Sequence, residues 1–163
     1  MNKLYKTLLA VSLLTIAQSN YAATATTTIA VTATVVNTCL VTATPLNFGV
    51  YASNANSDTT STIAVTCTGA NTYSLDLNAG TGAAATTTTR VMTGTPTGTL
   101  NYKVFSDTTR TTNWGTGAGN NVTGSTAGVA DPKTHTAFGR AASGQSPNAG
   151  VYADTITVTL TYN

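Results

Sequence analysis

Few side chains in this sequence can do chemistry, and their spacing limits what they can do. His135 is the single histidine, and the five acids are all aspartates: Asp58, Asp76, Asp107, Asp131 and Asp154. A Ser-His-Asp set can be drawn from Ser143, His135 and Asp131. Such a set needs a structural device that holds the serine against its base, and no nucleophile elbow is present. Glycoside hydrolysis needs two carboxyl groups flanking a cleft, whereas these aspartates are scattered. The run "GTGAGNN", Gly115 to Asn121, lacks the lysine and the strand–helix context of a phosphate loop. One histidine and two cysteines do not furnish a metal site. Catalysis, a metal and a cofactor are therefore not expected. Trp114, beside Gly115 in a long loop, reads either as a core residue or as a stacking platform for a sugar ring.

The remaining reactive pair is Cys39 and Cys67, 28 residues apart. Their meaning depends on the compartment. Lys3 and Lys6 precede the apolar run Leu8 to Ala17, and "QSNYAATA" follows with small residues. That is a secretory signal peptide, expected to span 1–23, and its apolar run is short for a membrane helix. Export to an oxidising compartment makes a Cys39–Cys67 disulfide the default, with free thiols or a metal pair as alternatives.

Beyond the leader, Arg90, Lys103, Arg110, Lys133 and Arg140 balance the five aspartates. No basic patch is available for nucleic acid. Sparse charge gives weak repulsion between copies, which suits a chain that packs against itself. About a quarter of the residues are Thr, a β-branched type that favours strands.

The elements that must position these residues read as strands. "ATTTIAVTATVV", Ala25 to Val36, puts Thr27, Ile29, Val31, Ala33 and Val35 on one face and carries no charge or proline. Further strands are expected at "CLVTATPLNFGVY" (interrupted at Pro45), "STIAVTC", "TYSLDLN", "RVM", "TLNYKVF" and "HTAFGRA". In "DTITVTLTYN", Asp154 to Asn163, Ile156, Val158, Leu160 and Tyr162 alternate with threonines, so one half-buried strand is expected to Asn163. The stretches 79–89 and 113–133 read as loop. Phe48, Tyr73, Tyr102, Phe105, Trp114 and Tyr152 are the expected aromatic core. Short strands with turn signals and no helical stripe indicate a single β-sandwich domain. Two apolar-faced strands at its ends pose a problem, because an exposed apolar edge invites association. Either the two pair within one molecule, or the N-terminal strand belongs in a neighbour.

The ordered series "PLNFGVY", "STIAVTCT", "YSLDLNAG", "RVM", "LNYKVFSD", "NWG", "FGR" and "AGVYADTITVTLTY" resembles the spore coat protein U domain of archaic (Csu-type) chaperone–usher pilins. The resemblance covers about residues 37–163 and has the form of a major pilin. It implies an all-β, incomplete immunoglobulin-like β-sandwich, completed by a donor strand from a neighbouring subunit or a chaperone. Residues 24–36 would be that donor strand, acting through Thr27, Ile29, Val31, Ala33 and Val35. Ile156, Val158, Leu160 and Tyr162 would form an acceptor-groove wall and the chaperone contact. The implied partners are identical pilin subunits, a periplasmic chaperone, an outer-membrane usher and a tip adhesin. The implied setting is an extracellular pilus, or fimbrium, used in surface attachment and biofilm formation. A surface carbohydrate- or protein-binding sandwich and a coat protein stand as alternatives.

Overall fold

The computed structural model describes residues 21–163. The expected signal peptide falls almost wholly on residues 1–20, outside the described residues. The chain divides into two units, Met1–Thr34 and Val35–Asn163. In the first, residues 21–34 form neither strand nor helix, and Ile29 and Val31 are 85% and 88% exposed. The strand expected over 25–36 is therefore not formed in the single chain. A lone extended segment has no neighbour to take its backbone hydrogen bonds, so propensity alone does not make it a strand.

The second unit holds nine strands: β1 (Cys39–Ala43), β2 (Ser57–Cys67), β3 (Ala70–Leu77), β4 (Arg90–Thr95), β5 (Thr99–Phe105), β6 (Val122–Ala127), β7 (Lys133–Ala141), β8 (Val151–Ala153) and β9 (Val158–Tyr162). They form a six-stranded sheet, β1-β2-β7-β5-β4-β8, and a three-stranded sheet, β6-β3-β9. Every pairing is antiparallel. Period-2 sequence becomes period-2 burial. Ile63, Val65 and Cys67 of β2 and Tyr73, Leu75 and Leu77 of β3 are buried, while the threonines between Ser57 and Ile63 are not fully covered. The core is completed by Met92, Leu100, Tyr102, Val104, Trp114 and Ala137. Of the expected core aromatics, Tyr73, Tyr102, Phe105 and Trp114 are buried, and Phe48 and Tyr152 pack half-buried against the core.

Three elements differ from the sequence reading: the strand expected over Cys39–Tyr51 ends at Ala43, two residues before Pro45, and does not resume. Within 113–133, read as loop, Val122–Ala127 forms β6 beside β3. Its "VTGSTA" has a single large apolar residue, so its alternation is faint. Gly124 sits there because Tyr73 crosses its face: a β-carbon on it would lie 2.4 Å from the Tyr73 hydroxyl. The terminal strand, expected over Asp154–Asn163, is shorter and runs Val158–Tyr162 as β9. β8 pairs with β4 in the large sheet, β9 pairs with β3 in the small one, and Asp154–Thr157 makes the corner between them.

A buried charge closes the lower end of the sandwich. Arg90 has no exposed surface. Its Nε donates to Asn78 O at 2.8 Å, Nη1 to Thr87 O at 2.9 Å, and Nη2 to Leu77 O at 3.1 Å and Trp114 O at 2.9 Å. Burial pulls its pKa below the ordinary arginine value. The guanidinium thus serves as a fork of donors for four carbonyls at the point where β3, the 78–89 loop and the Trp114 segment meet. Arg90→Met leaves these acceptors without a donor and is expected to cost at least about 3 kcal/mol, read as a lowered urea midpoint. An unchanged midpoint would show that water replaces the side chain.

His135 is the only imidazole in the interior face of β7. Tyr73 Oη lies 2.8 Å from its Nε2, and the rings of Tyr73 and Trp114 meet it edge-on. Burial lowers its pKa from 6.5. The unfolded chain therefore takes up the proton first, and stability falls as pH drops below about 6.5 toward the folded value. Asp58, Asp107, Asp131 and Asp154 are all shifted downward, so their contributions are lost only below the ordinary carboxylate range. Between pH 7 and 5 the decline in unfolding free energy is expected to be mainly His135's. His135→Gln should flatten it, which denaturant titration at both pH values checks.

Candidate functional site

The open side of the sandwich lies between β1 and β9. β1 is the end strand of the six-stranded sheet and β9 the end strand of the three-stranded sheet, so each has a strand on one side only. Which backbone groups face the open side follows from the bonds on the other. Thr68 N donates to Thr38 O at 2.9 Å and Thr44 N to Thr62 O at 3.0 Å. Even-numbered residues of β1 thus spend their backbone groups on β2, and Cys39, Val41 and Ala43 point theirs outward. The Cα atoms of Cys39 and Cys67 are 4.0 Å apart, the close approach of a non-hydrogen-bonded pair. On the facing strand, Asn78 N donates to Thr157 O at 3.2 Å and Asn163 N to Thr72 O at 3.4 Å. Odd-numbered residues face β3, so Ile156, Val158, Leu160 and Tyr162 present their backbone donors and acceptors to the open side. Ile156, Val158 and Leu160 also turn half-buried side chains onto the core, whereas Tyr162 is 38% exposed at the rim.

Between these edges lies a cleft of about 360 Å³, walled by Ala43, Pro45 and Leu46 on one side and Ile156 and Val158 on the other. Its floor is apolar core: Ile63, Leu77, Met92 and Val104. Of the four wall residues expected from sequence, Ile156 and Val158 line this cleft; Leu160 and Tyr162 continue the same edge along β9. The cleft holds one carboxylate, that of Asp154. Its Oδ1 accepts from Thr81 N at 2.7 Å, Thr81 Oγ1 at 2.9 Å and Thr155 N at 2.7 Å, and its Oδ2 accepts from Tyr102 Oη at 2.7 Å. Burial pushes this carboxyl up, but the donated bonds outweigh it and leave the pKa low. The Tyr102 hydroxyl moves the other way, raised by burial and by Asp154. With Thr157 N bonded to Asn78 Oδ1 at 2.8 Å, these contacts hold the 154–157 corner that aims Ile156 and Val158 into the cleft. Sequence reasoning missed Asp154 because the threonines around it keep strict alternation.

Cys39 and Cys67 form a disulfide at the start of β1. Trp114 is fully buried and donates from Nε1 to Leu75 O at 3.0 Å, so it offers no stacking platform to a sugar. Ser143, His135 and Asp131 are engaged separately: Ser143 N with Asn56, His135 with Tyr73, and Asp131 with Lys133. Asp107 collects bonds from Thr109, Thr111 and Thr112 in its own loop, which lower its pKa.

A family model for the spore coat protein U domain matches residues 25–159. The chain belongs to this family. Among curated proteins none matches its sequence. In fold it is similar to a chain in the crystal structure of the CsuC–CsuE chaperone–tip adhesion subunit pre-assembly complex from archaic chaperone–usher Csu pili of Acinetobacter baumannii. The TM-score is 0.59 at 24% identity, over 78% of this chain and 40% of that one. The chain thus corresponds to less than half the length of that solved chain. The spore coat protein U fold here is an antiparallel, immunoglobulin-like sandwich.

Replacing Cys39 and Cys67 together by Ser frees the 28-residue separation they close. The expected loss is about 3–4 kcal/mol on the chain-entropy estimate, measured as unfolding free energy against the oxidised chain.

Proposed function

We propose that this protein is a structural pilin subunit that polymerises by donor-strand complementation and exchange. The observation that carries the reading is the pair of open edges, β1 and β9, lying over an apolar floor. Ile156, Val158 and Leu160 present both unpaired backbone and inward aliphatic side chains there. An extended segment with apolar residues at every second position satisfies both at once: main-chain bonds give affinity and alternate side chains fill the cleft. Residues 24–36 have that pattern in Thr27, Ile29, Val31, Ala33 and Val35, and Ile29, Val31 and Val35 are at least 85% exposed in the single chain. Given by one copy to the next, the segment makes a head-to-tail contact that does not close, and so a fibre.

Family membership and the likeness to a pilus subunit support the rest. A periplasmic chaperone fills the cleft first, an outer-membrane usher exchanges it for the next subunit's segment, and a tip adhesin caps the fibre. The product is an extracellular pilus serving surface attachment and biofilm formation. The protein's work in this reading is assembly and not catalysis.

The test compares two forms made without chaperone. One is the mature chain. The other lacks residues up to Val36 and carries 25–36 after Asn163 through a flexible linker. The second is expected to be a stable monomer and the first to oligomerise or be degraded. Val158→Asp in the second form places a charge against the apolar floor and should lower its melting temperature by several degrees. An equally stable monomeric mature chain would overturn the reading.

A further inference from the structure

We infer that a second copy of this chain packs the end of its body around Cys39 against a further cleft at the opposite end of this one. The inference rests on the donor-strand reading. This further cleft, about 660 Å³, lies between the segment after β1 and the segment before β8, with Met92 and Leu100 beneath it. It shares Pro45, Leu46, Phe48, Met92 and Tyr152 with the β1–β9 cleft, so the two form one trough. Its lips carry Val50 and Val151, 95% and 77% exposed.

Direction comes first. Ala43, at the end of β1, and Val158, at the start of β9, line the same cleft, so the two walls run antiparallel to each other. An inserted strand is antiparallel to one and parallel to the other. Antiparallel pairing is the more stable per residue, and β9 with Ile156 offers four outward backbone positions against three on β1. The donor therefore runs antiparallel to β9. Setting its four apolar residues on those four positions puts Ile29 opposite Tyr162 and Val35 opposite Ile156. The donor chain then leaves the groove beside Tyr152, at the further cleft.

Reach comes second. Only Val36, Asn37 and Thr38 separate Val35 from Cys39. At 3.3–3.6 Å per extended residue, the donor copy's Cys39 lies within about 14 Å of its Val35. Its body is therefore held within one short linker length of the further cleft.

Chemistry comes third. Around Cys39 that body exposes Val36, Leu40 and Val129, at 72%, 65% and 65%. Val129 lies at this end because Thr126 Oγ1 reaches Gly69 O at 3.4 Å and Ala127 pairs with Ala70. The charges nearby, Asp131 and Lys133, pair with each other at 2.6 Å. An end bearing exposed aliphatic side chains thus meets a cleft that mixes apolar side chains with Asn47 and Asn148 and carries no charged residue, so no unpaired charge is brought between them.

The test uses fibres assembled by the full chain with its chaperone and usher, carrying the photo-crosslinker p-benzoylphenylalanine in place of one residue. From Val151, illumination is expected to give a crosslinked dimer attached within 36–40 or 128–132, at least fivefold above the yield from Thr134 on the outer face of β7. If Val151 gives no more than Thr134 while a crosslinker at Val158 attaches to 24–36, donor exchange stands and the packed interface is overturned. If Val158 does not attach to 24–36, the donor-strand reading fails and the interface fails with it.

Discussion

Backbone groups along the inner edges of β1 and β9 are the constraint around which this molecule is organised. A peptide group beside an apolar floor needs a hydrogen-bond partner, because leaving it unpaired away from water costs about as much as a lost bond. Inside both sheets the sandwich satisfies this requirement by antiparallel pairing, and only the end strands β1, β9, β6 and β8 keep a free edge. Along the cleft it leaves the requirement standing, above a floor of Ile63, Leu77 and Val104 that is otherwise core. Water can serve the backbone there but not the aliphatic side chains. Only another extended chain serves both.

Holding such an edge open demands rigidity behind it. Arg90 supplies part of this by tying four carbonyls from three segments to one guanidinium. Asp154 supplies another part, anchored by Tyr102 and Thr81 where the chain changes sheets. Both are polar devices in places where apolar packing would be expected to dominate. Each fixes direction, which a hydrophobic contact does not.

Much of this was legible in the sequence, for physical reasons. β2, β3, β5 and β7 carry large apolar residues at every second position, and a half-buried strand leaves that imprint because successive side chains point to opposite faces. The cysteine pairing followed from the export signal. Other features left no imprint. β6 is an edge strand of small residues whose only signal is Val122. The break at Asp154 is set by partners 52 and 73 residues away, Tyr102 and Thr81, which no local pattern encodes. Trp114 was expected in the core although its loop position also allowed a stacking role, whereas Arg90 appeared only as one of five balancing cations. The fold buries both because each finds backbone acceptors to satisfy its N–H groups. In the N-terminal segment the alternation was plain, yet no strand forms, since a pattern specifies a face and not a neighbour.

The disulfide has a mechanical meaning. Any pull on the N-terminal segment enters the body at Thr38, whose carbonyl accepts from Thr68 N, and at once reaches Cys39, the first residue of β1. An antiparallel strand dragged from its end peels one rung at a time, each bond failing alone. Here the rung next to Thr38 is covalent, so peeling stops before it enters β1. Tension passes across the sulfur bridge to the end of β2, the longest strand, which is paired along nine residues with β7. β2 is then loaded in shear along its length, with its bonds sharing the force instead of meeting it in turn. The bridge acts as a rivet that turns a zipper into a lap joint.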